Sequence, residues 1–304
     1  MYYLGIDGGG TKTAFLFADE NGNILKETVK GSSNPIDLGM EKCCAVLKEG
    51  VIGTVGDIPY AEISVFAGIS GGSTGDSKRR IGEFLQSFHF ARCGNGSDAE
   101  NIVKAGLNRD SGIVAITGTG CCAFAKNGDT LRRFGGLGWL FDHYGGGYDY
   151  GNYAIRAALM AEDGTGEKTI LRDLILQKTG KSSVMEDLAH FYEIKKRGIA
   201  EFAPLVFAAY EKGDGVAKDI IVKTAAYLAG LISAAAKAAG KTNGKYKTVF
   251  VGGLTRAFDD IKPYLIESLS KTDDINEYEI SVYDKNVAYG ALYLAGMKRN
   301  EVIK

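Results

Sequence analysis

The chain has 304 residues, a length typical of about two domains, and its formal net charge of −1 gives no electrostatic reason to bind nucleic acid or an anionic membrane. The N-terminal MYYLGIDGGG lacks the basic and apolar regions of a signal peptide, and the longest uncharged apolar run, 224–236, is shorter than the ~20 residues of a membrane span. The five cysteines show no CxxC or Cys/His ligand spacing, so we expect free thiols in a cytoplasmic protein without structural zinc.

The first part of the chain predicts alternating strands and helices: strands over 2–7, 12–18, 24–29 and 63–68, and helices over 38–50 and 77–88. Asn21-Gly22 predicts a type I′ hairpin turn between the second and third strands. Ser97 and Glu100 form a capping-box signature at the start of a further helix.

The second part of the chain repeats the opening pattern. ITGTGCCAFAKNGDTLRR parallels IDGGGTKTAFLFADENGNIL as strand, glycine turn, strand, Asn-Gly turn and strand, which indicates an internal duplication. Further elements are predicted downstream: helices near 151–162, 184–196, 216–240, 257 onward and 287–298, and strands over 247–251 and 279–283. The pattern favours an α/β fold with two similar halves and ligands in the cleft between them.

Three glycine turns, at 8–10, 118–120 and 252–253, each follow a predicted strand. Consecutive backbone N–H groups in such turns can bind an anion, and residues 11–13 add two hydroxyls and an ammonium group. A hairpin turn that merely tolerates glycine is the alternative. GGGTKT is not a Walker A loop, because a strand follows it where that motif needs a helix. GTGCCA matches GxGxxA, but a hairpin follows where a dinucleotide-binding helix would lie.

Two aspartates stand where phosphoryl-transfer chemistry would use them. Asp7 ends the first strand beside the glycines, where a carboxylate can hold Mg²⁺ against nucleotide phosphates. Asp98 lies in the first turn of a helix, where the helix dipole favours its carboxylate form, and it could accept the proton of an attacking hydroxyl. The alternatives are a solvated turn aspartate for Asp7 and, for Asp98, simple stabilisation of the helix start by ~0.3–1 kcal/mol.

These motifs resemble the nucleotide-binding turns of the actin/sugar kinase/Hsp70-like superfamily. Six stretches, in order over nearly the whole chain, resemble the BadF/BadG/BcrA/BcrD ATPase family and its N-acetylglucosamine kinase branch: GIDGGGTKT, SSNP, AGISGG, SDAENI, AITGTG and VGGLTRAF. The resemblance implies duplicated ribonuclease H-like (actin-like ATPase) domains with a cleft between them. Residues 1–112 would form the sugar side and 113–304 the nucleotide side, with the last helix (about 287–298) able to pack back on the first domain.

The resemblance also implies a role for individual residues. Asp98 would be the catalytic base and Asp7 would position Mg²⁺. The ATP-binding residues would be Gly9, Gly10, Thr11, Lys12, Thr13, Gly118, Thr119, Gly120, Gly213, Asp214, Gly252, Gly253 and Arg256. The sugar-binding residues would be Ser33, Asn34, Ser70, Gly71, Asp98, Gly136, Gly138, Trp139, Asp142 and His143.

The stretch GWLFDHYGGGYDYG, 138–151, departs from the family pattern Gly-Trp-Leu-Leu-Gly-Asp-Glu-Gly-Ser. The family's sugar-binding Asp-Glu pair falls on His143 and Tyr144, and Asp142 lies one residue away. The Ser-Asn that follows Gly-Thr-Gly in the family is Cys121-Cys122 here. Fewer negative charges, and room at 145–147, would suit the carboxylate of N-acetylmuramic acid.

The implied activity is that of an ATP-dependent amino-sugar kinase. It would use Mg²⁺ to phosphorylate the 6-hydroxyl of N-acetylglucosamine and/or N-acetylmuramic acid in cell-wall sugar salvage, with only a small-molecule sugar as partner besides a second copy in a homodimer. One alternative is an activator ATPase of a dehydratase or reductase partner. That branch carries an iron–sulfur cluster on cysteines just ahead of Gly-Thr-Gly, where this chain has Ile116-Thr117. A non-catalytic sugar sensor is the third reading, and the presence of Asp7 and Asp98 disfavours it.

Overall fold

A computed structural model describes residues 1–108, 110–143 and 145–298. The chain divides into two compact units, the first formed by 1–109 with 285–304 and the second by 110–284. The first unit therefore combines the N-terminal segment with the helix that closes the described part of the chain.

The strands of the described residues are β1 (Tyr2–Gly8), β2 (Lys12–Ala18), β3 (Ile24–Gly31), β4 (Ile63–Ile69), β5 (Arg92–Gly96), β6 (Gly112–Thr117), β7 (Cys121–Asn127), β8 (Thr130–Gly135), β9 (Tyr246–Val251) and β10 (Tyr278–Tyr283). The helices are α1 (Pro35–Leu38), α2 (Met40–Val55), α3 (Ser77–Gln86), α4 (Asp98–Leu107), α5 (Gly147–Asp163), α6 (Leu171–Thr179), α7 (Leu188–Glu193), α8 (Lys195–Ala200), α9 (Ala203–Tyr210), α10 (Gly215–Ala236), α11 (Phe258–Leu269) and α12 (Ala288–Leu294).

Each unit contains one five-stranded mixed sheet, and the two sheets share one topology. Their strand orders are β3-β2-β1-β4-β5 and β10-β9-β6-β7-β8. In each, three strands linked by hairpins are antiparallel. The first of them pairs in parallel with the fourth strand of the unit, which pairs in parallel with the fifth. This repeated order confirms the predicted duplicated fold.

The first sheet is covered on both faces. One face packs on α2 and α3 through residues such as Phe15, Leu47 and Ile81, and the other packs on α12 through residues such as Leu16 and Leu292. A Cβ on Gly5 would lie 2.7 Å from the backbone nitrogen of Leu292, so only glycine lets β1 approach α12 this closely. This double burial explains why β1 and β2 are apolar runs rather than alternating ones.

The second unit is built around the long helix α10. Among the described residues it is the one helix long and apolar enough to cross a membrane by length and composition, yet 56% of its most apolar window is buried inside the unit. Its core face includes Ile221, Leu228 and Ile232, which have 0–2% exposed surface. Such burial is the pattern of a core helix.

Most predicted elements are confirmed, with two corrections. The loop between β2 and β3 spans 19–23 rather than two residues, because the Asp19 carboxylate accepts hydrogen bonds from the N–H groups of Asn21 and Asn23 and builds a wider turn. The single helix predicted over 184–196 is interrupted between α7 and α8, where Lys195 adopts a φ of +53°. The sequence reading missed β5, α6 and α9.

Candidate active site

The first glycine turn joins β1 to β2. The Gly9 N–H donates to the Lys12 carbonyl at 2.9 Å, and the Ser70 N–H donates to the Gly8 carbonyl at 2.7 Å. These bonds tie the turn to the end of the neighbouring strand β4. Gly10, Thr11 and Lys12 are exposed at the tip, where a phosphate could reach their donors.

Thr13 and Ser33 lie beneath this turn rather than on its surface. Both are 0% exposed. The Thr13 hydroxyl is 2.8 Å from the Ser33 hydroxyl and 2.8 Å from the Gly31 carbonyl. A Cβ on Gly8 would lie 2.3 Å from the Ser33 Oγ, so the glycine leaves room for this bond. These hydrogen bonds support the turn from below.

Asp7 is held by a buried asparagine that the sequence reading overlooked. The Asn101 side-chain amide donates to the Asp7 carboxylate at 2.8 Å and to the carbonyls of Ile6 and Gly68 at 3.2 and 3.3 Å. Burial raises the pKa of Asp7 to about 6, the Asn101 hydrogen bond opposes that rise, and the negative charge of Asp98 adds to it. The Asp7 carboxylate is therefore partly desolvated, and it lies close enough to Asp98 for the two charges to interact.

Asp98 is the first residue of α4. Its carboxylate accepts from the Ala99 N–H at 3.0 Å, and the Glu100 carboxylate accepts from the Ser97 N–H at 3.1 Å, which confirms the predicted capping box. Burial raises the pKa of Asp98, while the bonds from Ala99 and from the Ser70 side chain lower it. Asp7, Ser70 and Asp98 thus lie together at the ends of β1, β4 and β5.

Asn34 and Gly71, both predicted sugar contacts, lie against each other. The Asn34 side-chain Oδ1 accepts from the Ile36 N–H at 2.9 Å at the start of α1, and the Asn34 side-chain Nδ2 donates to the Asp37 carboxylate at 2.8 Å. Gly71 has a φ of +73°, and a Cβ there would lie 2.5 Å from the Asn34 Oδ1. The first unit therefore groups Asn34, Ser70, Gly71 and Asp98 beside the first glycine turn.

The second glycine turn, 118–120, joins β6 to β7 and is tied to the start of α5. The Gly118 and Thr119 carbonyls accept from the N–H groups of Gly147 and Tyr148 at 2.8 and 2.9 Å. A Cβ on Gly146 would lie 2.6 Å from the Gly120 carbonyl carbon. The glycine run 145–147 thus allows two backbones to meet, and this corrects the prediction that it makes room for a ligand.

The second glycine turn lines one side of a cavity of about 690 Å³ in the second unit. Its lining includes Gly118 and Thr119, Phe207 of α9, and Gly253 and Arg256 after β9. Several alanines, a proline and a leucine complete its apolar walls, and the carboxylates of Glu211 and Asp260 also line it. This volume and apolar lining, with donors at one end, fit a nucleoside whose phosphates lie on the glycine turn.

In the second unit, the predicted nucleotide contacts Gly213, Asp214 and Gly252 lie outside that lining, as does Gly120. Asp214 caps α10: one carboxylate oxygen accepts from the Ala217 N–H at 2.9 Å, and the other accepts from Thr169 and Ile170. Gly213, with a φ of +80°, makes the turn before this cap. Gly252 packs on β6, because a Cβ there would lie 2.6 Å from the Thr117 carbonyl oxygen. Each of these three residues thus has a role in the local backbone.

The loop after β8 uses its polar groups internally. The Asp142 carboxylate accepts from the Leu137 N–H. The Nδ1 of His143 lies 2.9 Å from the Asp149 carboxylate, and because a carboxylate only accepts, the imidazole N–H donates. Asp149 is 5% exposed and also accepts from the N–H groups of Gly145 and Gly146 at 3.0 and 2.9 Å. Tyr144 lies outside the described residues.

The glycines and the aromatic residue predicted in this loop are accessible. Gly136 and Gly138 have φ values of +71° and +99°, a conformation that favours glycine. Trp139 keeps 42% of its surface exposed, and its ring lies 5.4 Å from that of Tyr148. An exposed indole face of this kind can pack against a sugar ring.

Asp7, with Asp98 near it, fits a site for a magnesium ion held by the Asp7 carboxylate. Mg²⁺ is usually bound by one or two carboxylates, with substrate phosphates and waters completing its shell. Burial is the main cause of the raised pKa of Asp7, and a divalent cation would also offset the smaller contribution from the negative charge of Asp98. Among the described residues, no three His, Cys, Asp or Glu side chains are grouped to hold a metal by themselves. Binding here would therefore depend on phosphate oxygens.

The fold and the two glycine turns define the class of proteins with two actin-like domains. The chain also matches the model of the BadF/BadG/BcrA/BcrD ATPase family over residues 4–295 and belongs to that family. It is 29% identical to an N-acetylmuramic acid/N-acetylglucosamine kinase of Clostridium acetobutylicum, with 97% of this chain and 98% of that protein covered. It is 30% identical to an N-acetyl-D-glucosamine kinase of Dictyostelium discoideum, with 83% and 84% covered.

Solved structures share the fold at lower sequence identity. A candidate N-acetylglucosamine kinase from Chromobacterium violaceum matches with a TM-score of 0.75 and 22% identity over 97% of this chain and 98% of that one. A ROK family glucokinase from Streptomyces griseus, solved with glucose and AMPPNP, matches with a TM-score of 0.56 and 18% identity over 97% and 99%. These matches confirm the predicted fold class.

Proposed function

We propose that this protein is an ATP-dependent amino-sugar kinase that transfers the γ-phosphoryl group to the 6-hydroxyl of N-acetylglucosamine, N-acetylmuramic acid or both. The observation that carries the proposal is the placement of Asp98, which is partly buried beside Ser70 and within electrostatic reach of Asp7. The amino-sugar kinase activity of the curated relatives supports it. A salvage enzyme of this kind would work in the cytoplasm, and we expect a homodimer.

Asp98 would act as the general base. An ionised carboxylate accepts the proton of the 6-hydroxyl as that oxygen attacks the γ-phosphorus, while the bond from the γ-phosphorus to the bridging oxygen of ADP breaks. The Ala99 and Ser70 hydrogen bonds favour the ionised form and fix the orientation of the carboxylate. Asn34, Ser70 and Gly71 would orient the sugar.

The remaining residues would hold the nucleotide. The turn at 118–120 and the cavity lined by Phe207 and Arg256 would bind the nucleoside and its phosphates. Thr11 and Lys12 would donate to phosphate oxygens from the first turn. Asp7 would hold Mg²⁺, which when bound neutralises charge on the phosphates. On this view the first unit is the sugar side and the second unit is the nucleotide side.

Coupled ADP release tests the proposal. The enzyme with MgATP is assayed against N-acetylglucosamine, N-acetylmuramic acid, glucose and no sugar. We expect turnover on at least one N-acetyl sugar well above the sugar-free rate, and loss of that turnover in Asp98→Asn. Slow ATP hydrolysis that no sugar accelerates, together with iron in the purified protein, would instead favour the activator ATPase.

A further inference from the structure

The helix α8 places a lysine against the second glycine turn. A Cβ built on Gly120 would lie 2.8 Å from the Nζ of Lys196 and 3.6 Å from its Cε. The ammonium group therefore lies directly against the turn, next to Thr119, which lines the 690 Å³ cavity. Nothing in the sequence motifs points to Lys196, which is 76 positions from Gly120 (196 − 120).

The backbone around Lys196 holds it in this place. Lys195, the first residue of α8, has a φ of +53°, which a non-glycine residue rarely adopts. A Cβ on Gly151 would lie 1.9 Å from the Ile199 carbonyl oxygen, so α8 is pressed against α5. Strained residues fixed by close packing cluster at binding and active sites, because folding alone would not favour them.

The electrostatic surroundings favour an anion at this turn. Among the described residues, no carboxylate forms an ion pair with Lys196. The Gly118 N–H donates to the Gly120 carbonyl at 3.0 Å, whereas the N–H groups of Thr119 and Gly120 have no backbone acceptor in the part of the chain that the structure describes. An unpaired ammonium group beside two free amide donors makes a concavity suited to phosphate oxygens.

We propose that Lys196 contacts the polyphosphate of the bound nucleotide from the side of the second glycine turn. This inference rests on the proposed kinase function and adds a residue to its nucleotide site. Lys196 would supply a positive charge to the β- and γ-phosphate oxygens, and the turn would supply backbone donors. The nucleoside itself would make no contact with Lys196, because Lys196 is not among the residues lining the 690 Å³ cavity.

The test compares Lys196→Met, which keeps the apolar stem and removes the charge, with Lys196→Arg and Lys195→Met. Lys195 is the matched control, because both lysines line a second cavity of about 340 Å³. Affinities for ATP, ADP, AMP and adenosine are measured by calorimetry, with KM for ATP and for the sugar in parallel. We expect Lys196→Met to weaken ATP and ADP binding about tenfold, the loss of one charged contact. The affinity of Lys196→Met for AMP and adenosine should stay within about twofold of wild type. The affinity of Lys196→Arg for ATP should stay within about threefold of wild type, and Lys195→Met should bind all four ligands like wild type.

Three results would overturn the inference: unchanged ATP binding in Lys196→Met, equal weakening of ATP and adenosine, or a rise confined to the KM for the sugar. The first would leave Lys196 as a surface lysine, the second would indicate a structural role, and the third would place it at the acceptor. If the wild-type protein binds no ATP at all, the proposed kinase function fails and Lys196 loses its role with it. If it binds ATP and only the Lys196 prediction fails, the kinase proposal stands.

Discussion

Replacing Asp7 with asparagine should stabilise the protein while removing its activity. In the folded chain, burial raises the pKa of Asp7 to about 6, from a value of 3.8 without that environment. A carboxyl group with a raised pKa favours folding most when it is protonated, so its contribution is present below pH 3.8 and is lost as the pH rises to about 6. Above that range, ionised Asp7 destabilises the folded wild-type protein, whereas an asparagine at position 7 does not.

The magnitude follows from this shift. A rise of about 2 pKa units corresponds to about 3 kcal/mol when the carboxylate is fully ionised. At pH 5 the cost is about half of that, because the folded group is then mostly protonated. The Asn101 amide can still donate to the side-chain oxygen of asparagine at position 7, so this hydrogen bond should survive. Asp7→Asn should therefore gain about 1–2 kcal/mol over wild type at pH 5 and about 3 kcal/mol at pH 8.

The assay is urea unfolding of both proteins without nucleotide or metal, at pH 5, 6, 7 and 8. Asp57→Asn is the control, because Asp57 is an exposed carboxylate in the same unit. The same preparations are tested for kinase turnover, which Asp7→Asn should lose. A gain in unfolding free energy that does not grow between pH 5 and 8, or a variant less stable than wild type at pH 8, would refute the reasoning about desolvation at this site.

Three further predictions concern neighbouring residues. Asp98→Asn should lower kcat at least ~100-fold, as expected for a general base, with ATP affinity unchanged by calorimetry; a loss below tenfold would argue against that role. Asn101→Ala should cost about 2–4 kcal/mol in urea unfolding, because it leaves buried acceptors unpaired, and should raise the pKa of Asp7 further, read from its carboxyl NMR shift. An unchanged or lower pKa of Asp7 in this variant would contradict the hydrogen bond from Asn101. His143→Asp should reduce kcat/KM on N-acetylmuramic acid about tenfold more than on N-acetylglucosamine, through charge repulsion, and equal losses would exclude an anion-accommodating role for His143.

The glycine turns could be predicted from the sequence because their signal is local. A glycine run between two apolar strands specifies a tight turn, and the hairpin turns predicted at 8–10 and 118–120 form where the pattern indicates. The capping box at Ser97 and Glu100 is equally local. The prediction of a type I′ turn at Asn21-Gly22 is wrong, because the neighbouring Asp19 side chain accepts hydrogen bonds from the backbone N–H groups of Asn21 and Asn23.

The partners of the site residues could not be predicted, because they depend on contacts between distant segments. Asn101 lies inside the SDAENI motif, yet its bond to Asp7 spans 94 residues and appears only when α4 packs beside β1. No sequence motif marks Asp149, which the fold buries beside His143. The family resemblance assigns Gly213 and Asp214 to the nucleotide, and in the structure the Asp214 carboxylate caps α10.

The position of the transferred phosphoryl group tests the central claim most directly. Wild-type protein and Asp98→Asn are incubated with MgATP and N-acetylglucosamine or N-acetylmuramic acid, and the products are examined by phosphorus and carbon NMR. The account predicts a phosphomonoester whose phosphorus couples to C6 of at least one N-acetyl sugar, formed by the wild type and not by the variant. Phosphate on C1, or product formation at the same rate without the Asp98 carboxylate, would contradict it.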